Sequence, residues 1–149
     1  MRRLVIFAAL VAALVFAAPA GAAVQRFSAE LSGAQETPDK GDSNGTGTAA
    51  LRFDRAAGRV CFTIRVRRID DVVAAHIHRG RRGVAGSIAV DLITAPADGR
   101  RFTGCNDDVA SSLIRRMSRR PRSFYVNVHT QDFPAGAVRG QLRRGRLRG

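Results

Sequence analysis

Three histidines are the only imidazoles in this chain, and they fall in two short stretches, Ala74-Ala75-His76-Ile77-His78-Arg79-Gly80 and Asn127-Val128-His129-Thr130. His76 and His78 are two residues apart. On an extended strand such residues share a face, while Ala75 and Ile77 point the other way. His129 closes a second strand-like run. If the two runs lie side by side, three imidazoles converge. Neutral imidazole is a common ligand for copper and zinc, and three nitrogens leave one position open on a four-coordinate ion. The same rings could instead hydrogen-bond side chains or backbone carbonyls and fasten loops. Both readings start from the same two strands.

The elements that must position them are read from periodicity. Residues 25–31 alternate, with Phe27, Ala29 and Leu31 on one face. Residues 46–53 repeat the pattern through Ala49, Leu51 and Phe53, and Gly58 turns the chain into residues 59–66. There Val60, Phe62, Ile64 and Val66 form the clearest apolar stripe. The histidine strand spans 72–79. The glycine-rich stretch 80–86 leads into another strand at 87–93, so it cannot be a phosphate loop opening a helix. Residues 94–103 read as a polar loop. Asn106, Asp107 and Asp108 are placed to cap a helix that Pro121 ends, with Val109, Leu113 and Met117 inward. Arginines near its C-terminus suit the helix dipole. No second helix exists to make a helix-turn-helix. Strands follow at 123–129 and 137–143. The sum is an all-β protein: an antiparallel Greek-key β-sandwich of about seven strands, with one short helix before the penultimate strand.

Composition bounds the class. A basic start, Arg2-Arg3, precedes an uncharged apolar run at 4–18 and small residues at 19–23. Residues 1–23 therefore read as a signal peptide cut between Ala20 and Ala23, too short for a span of ~20 apolar residues. The expected product is a secreted, extracytoplasmic domain at 24–143, followed by a disordered basic tail at 144–149. The two cysteines, Cys61 and Cys105, suit a disulfide in such a compartment, worth roughly 4 kcal/mol by loop closure, or else two free buried thiols. Cys61 leaves its strand on the face opposite the apolar stripe, so its partner is expected to cover that outer face.

The chain carries 25 Lys plus Arg against 12 Asp plus Glu, a formal charge of +13, and Lys40 is its only lysine. This is either a solvated basic surface or a means of holding a polyanion through residues 115–122 and 143–148. Catalytic patterns are weak: the one Gly-x-Ser-x-Gly match, Gly41-Asp42-Ser43-Asn44-Gly45, lies in a polar loop that leads into a strand and opens no helix, so it is no nucleophile elbow, and the cysteines are better used together.

Four ordered motifs resemble the CHRD domain, a module named for chordin, an extracellular antagonist of bone morphogenetic proteins. They are Leu31-Ser32-Gly33-Ala34-Gln35-Glu36-x-Pro38, Ala75-His76-Ile77-His78-x-Gly80-x-x-Gly83-x-x-Gly86, Tyr125-Val126-Asn127-Val128-His129-Thr130 and Pro134-x-Gly136-x-x-Arg139-Gly140-Gln141-Leu142. The likeness covers residues 27 to 142. Asp39 stands where the family often has a second proline, and Ala137 where it often has an acidic residue. The resemblance implies a secreted, non-catalytic sandwich module without an assigned ligand.

With the family as guide, the expected ligand or structural cluster is Glu36, His76, His78, Asn127, His129 and Arg139. Glu36 could add a fourth metal ligand or a supporting acceptor, or pair with Arg139. The implied cofactor, if any, is copper or zinc on His76, His78 and His129. The partner is an extracellular protein or a polyanionic cell-surface polymer rather than nucleic acid. A His-x-His strand in a Greek-key sandwich also resembles copper/zinc superoxide dismutase. Three histidines are too few for that enzyme's imidazole-bridged metal pair, and fold likeness alone carries no function.

Overall fold

The computed structural model describes residues 24–145. The expected leader, residues 1–23, and residues 146–149 of the expected tail lie outside the described residues. The described residues form nine strands: β1 (Gln25–Ser32), β2 (Thr46–Asp54), β3 (Arg59–Arg67), β4 (Val72–Arg79), β5 (Ile88–Ile93), β6 (Arg101–Asn106), β7 (Phe124–Thr130), β8 (Val138–Gln141) and β9 (Arg143–Arg144). Among the described residues one α-helix, α1 (Ser111–Arg119), precedes β7. No helix among the described residues is long and apolar enough to cross a membrane.

All pairings are antiparallel. The strand order is β5-β4-β7-β8-β1-β2-β3-β6, and β9 also pairs β1. Strands β8 and β9 act as one extended segment. Asn127 faces Arg139 across β7 and β8, whereas Ser32, Ser28 and Phe27 of β1 face Arg139, Arg143 and Arg144. This last segment therefore joins two half-sheets, β5-β4-β7-β8 and β1-β2-β3-β6, which fold onto each other. Between β3 and its neighbour β6 the chain leaves to form β4 and β5 in the other half. That return is of the Greek-key kind the sequence leads one to expect.

The core follows the alternation. Phe27, Leu51, Phe53, Val60, Ile64 and Val66 from one half meet Ala75, Ile77, Val126, Val128 and Val138 from the other, each at most 1 % exposed. Ile114 and Met117 of α1 close one end and are equally buried. Removing about this much apolar surface from water is the main favourable term in folding.

Several expectations need correction. The strand count is nine rather than about seven. Strand β6 lies within and beyond the stretch read as a loop. It was hidden because its inward positions are Phe102 and Gly104, so the apolar stripe is half empty. A Cβ at Gly104 would come within 2.9 Å of the Phe62 ring, which occupies the missing side chain's place. The helix starts at Ser111 and has no side-chain cap. Asn106 ends β6 instead, its Oδ1 accepting from the Asp108 N–H at 3.0 Å. Cys61 and Cys105 do form a disulfide. They sit directly opposite each other on adjacent strands β3 and β6, so the bond staples one face and covers nothing above it. Arg144, assigned to the tail, is ordered against Phe27 and donates to the Ser118 carbonyl.

Candidate metal centre

Strand β7 is buried at all seven positions. Its inward residues Phe124, Val126 and Val128 belong to the core. Its outward residues Tyr125, Asn127 and His129 would meet water on an ordinary sandwich. Here loops from 33–45, 80–87 and 131–137 cover them. The register then assembles a polar layer on this outer face. His129 lies opposite Ala74, Asn127 opposite His76 and Tyr125 opposite His78, with Arg139 next to Asn127 on β8 and Asp91 next to His76 on β5. A one-residue bulge near Val73 lets both Val72 and Ala75 stay buried while the histidines keep the outward face.

The three imidazoles meet. One nitrogen from each of His76, His78 and His129 lies within 4.8 Å of the others. His76 Nδ1 is 3.1 Å from His129 Nε2. A tetrahedral zinc ion with bonds of ~2.0–2.1 Å sets its nitrogens ~3.3 Å apart, so one pair is already spaced for it and the third needs an inward shift of an ångström or so.

The far sides of two rings are held by acceptors, and the third is flanked by a carboxylate. His129 Nδ1–H donates to the Pro134 carbonyl at 3.0 Å, and His78 Nδ1–H donates to the Gly86 carbonyl at 2.9 Å. These bonds fix both tautomers and leave both Nε2 atoms as lone pairs. Asp91 Oδ1 lies 3.7 Å from His76 Nε2. Carbonyl or carboxylate acceptors behind a histidine are the usual support of a metal ligand.

The neutral rings are left with a conflict. If His76 carries its proton on Nδ1 it can donate to His129 Nε2, but its Nε2 lone pair then faces Asp91. If it carries the proton on Nε2, two lone pairs face each other 3.1 Å apart. His78 Nε2 is buried with no partner at all. Such an orphan is costly in a folded protein. A cation between the three nitrogens removes both problems.

The electrostatics keep the rings neutral. Burial pushes all three histidines below their ordinary value. The neighbouring rings add to this for His76, and Arg139 adds to it for His78, while Asp91 opposes it for both. Lone pairs are therefore available to a ligand without first removing a proton.

Glu36 stands apart from the trio. It follows the 3-10 turn Gly33–Gln35 and is 5 % exposed. Burial raises its carboxyl from 4.5 to about 7, against the pull of the Arg139 charge. Asn127 Nδ2 donates to Glu36 Oε2 at 3.4 Å. It is therefore no member of the histidine group, and no ion pair within 4 Å joins it to Arg139 among the described residues. The Arg139 Nη2 donates instead to the carbonyls of Arg81 and Val84 at 3.0 and 2.9 Å, and the guanidinium lies 3.4 Å from the centre of the Tyr125 ring. It pins the 80–87 loop whose Gly86 carbonyl orients His78.

Asp91 and Tyr125 were not among the expected site residues, and backbone carbonyls were foreseen as acceptors without their positions, Gly86 and Pro134. Asp91 was visible as the one charge within its strand. Tyr125, the chain's only tyrosine, stacks on His78 with ring centres 5.0 Å apart and accepts from the Gly86 N–H at 3.2 Å.

Comparison with known proteins gives one match: the family model of the CHRD domain fits residues 27–142. No curated protein and no solved structure matches.

Proposed function

The chain belongs to the CHRD domain family, and from that premise we propose that it is an exported binding module that holds one copper or zinc ion on His76, His78 and His129. The observation that carries this is the arrangement of nitrogens. One nitrogen from each of three neutral imidazoles lies within 4.8 Å of the others, two of the rings being fixed from behind by carbonyls and the third flanked by a carboxylate. Both metals accept such a donor set. His76 keeps a side-chain exposure of 14 %, which gives an ion a way in. The disulfide and the extracellular character of the family support a location outside the cytoplasm. The module works by binding, and its loops around Glu36 and Arg139 shape what can approach the ion.

The test is metal content of protein made without a histidine tag, dialysed against zinc or copper and then against buffer. One ion per chain is expected, lost in a His76→Ala/His78→Ala variant that still shows the wild-type β-sheet spectrum. A fully folded wild type that retains no ion from excess metal would reject the proposal and leave the cluster as a fastening of loops. Copper occupancy would also give a nitrogen-coupled paramagnetic resonance spectrum.

A further inference from the structure

A second region is built from residues far apart in the chain. The end of α1, the turn at 121–123 and strand β9 converge on a groove of about 630 Å³, lined by Arg119, Arg120, Arg122, Arg143 and Arg144. A neighbouring groove on the same helix adds Arg115 and Arg116. Glu30 is the only acidic residue lining either groove. Among the described residues the ion pairs are Arg59–Asp107 and His76–Asp91, both elsewhere. Arg144 bonds the Ser118 carbonyl, but no carboxylate within 4 Å neutralises these guanidinium groups. Like charges gathered this way repel each other and raise the local potential, a cost that a bound polyanion removes.

We propose that this groove is the docking surface for a linear phosphodiester polymer of the cell surface, of the poly(glycerol phosphate) type. Arginine is suited to it, because its planar fork holds phosphate with two parallel bonds. Each phosphodiester link exposes two oxygens on opposite sides of the chain. Arginines on the helix wall and on the β9 wall can then grip one link together, and the repeat of such links along a linear chain suits a row of guanidinium groups. Single-stranded nucleic acid fits less well, since neither groove is lined by an aromatic ring on which a base could stack. The inference does not rest on the histidine site.

The experiment measures binding of fluorescent synthetic poly(glycerol phosphate) to the full exported chain across a series of salt concentrations. The affinity should fall steeply with salt, with a log–log slope of about −0.7 for each phosphate engaged. An Arg119→Glu/Arg122→Glu variant should bind at least ~10-fold more weakly than wild type. A control with the same charge change on another exposed strand, Arg65→Glu/Arg67→Glu, should lose far less, and His76→Ala/His78→Ala should bind as wild type does. Equal losses in the groove and control variants would overturn the proposal in favour of net charge alone. Tighter binding of poly-glutamate or of duplex DNA with matched charge would overturn the choice of polymer. Identical melting temperatures of the two charge variants show that neither result comes from unfolding.

Discussion

The outer faces of strands β3 and β7 obey the same alternation and end in opposite surroundings. On β3 the inward Val60, Phe62, Ile64 and Val66 are buried, while Arg59, Arg65 and Arg67 stand in water beside a disulfide. On β7 the outward Tyr125, Asn127 and His129 are buried along with the core residues between them. The difference lies in the covering loops. Burying polar groups is unfavourable unless they are bonded. Even so, four buried side-chain atoms on the covered side, from Glu36, His78, Asn127 and Arg139, lack a partner. A fold that needed only stability could leave this face as bare as the other. The contrast marks the covered face as the one shaped for a task.

The largest effect should come from the bare side. A Cys61→Ser/Cys105→Ser variant should lose roughly 3–4 kcal/mol in denaturant unfolding, while its folded fraction should take up added zinc as wild type does. A difference in zinc uptake between that folded fraction and wild type would show that the two faces are not independent. Next, Arg139→Ala should cost roughly 3 kcal/mol, because it frees two loop carbonyls and uncovers Tyr125, whereas Arg65→Ala should stay within about 0.5 kcal/mol. Equal values for the two would erase the distinction between covered and bare arginines.

Glycine gives a finer contrast. A Cβ at Gly136, at φ +143°, would lie 2.6 Å from Glu36 Oε1, while Gly83, at φ +75°, has open space around it. Gly136→Ala should cost about 2–3 kcal/mol and Gly83→Ala about 1 kcal/mol, since only the first adds a clash to the backbone strain.

The smallest effect is a pH dependence confined to the covered face. Glu36 is raised from 4.5 to about 7, so the carboxyl favours the fold below pH 4.5 and that contribution is lost as pH rises towards 7. Glu36→Gln should remove this decline and gain roughly 1–2 kcal/mol at pH 8 relative to wild type. The histidines act with the opposite sign. Their folded values are lowered, so their contribution is present above the ordinary 6.5 and is lost as pH falls through the imidazole range. Zinc should therefore raise the melting temperature more at pH 7.5 than at pH 5.5, and not at all in His76→Ala/His78→Ala. A zinc effect independent of pH would argue against imidazole ligation.

Much of the framework was legible because alternation was. Strands β1 to β5 and β7 show apolar stripes at period two, and the His-x-His spacing told which face both rings would share. The approach of His129 was an inference from two strands becoming neighbours, which β4 and β7 are. Strand β6 escaped because Gly104 replaces the apolar residue the pattern needs. The supports of the site escaped for another reason. The groups behind His78 and His129 are main-chain carbonyls of Gly86 and Pro134, and any residue type supplies a carbonyl. Their positions depend on loop paths, which local periodicity does not encode. Arg139 was found through motif likeness, but its partners were again carbonyls rather than the expected Glu36.

Residues 138–144 knit the two half-sheets, pairing β7 with their first part and β1 with the rest. They lie downstream of every other strand, so a chain emerging from the N-terminal end has both of its free edges waiting until the last seam arrives. Closure of such long-range pairings is slow. Until that seam arrives the two half-sheets have no common strand, so the core between them is completed only when the last paired segment is in place.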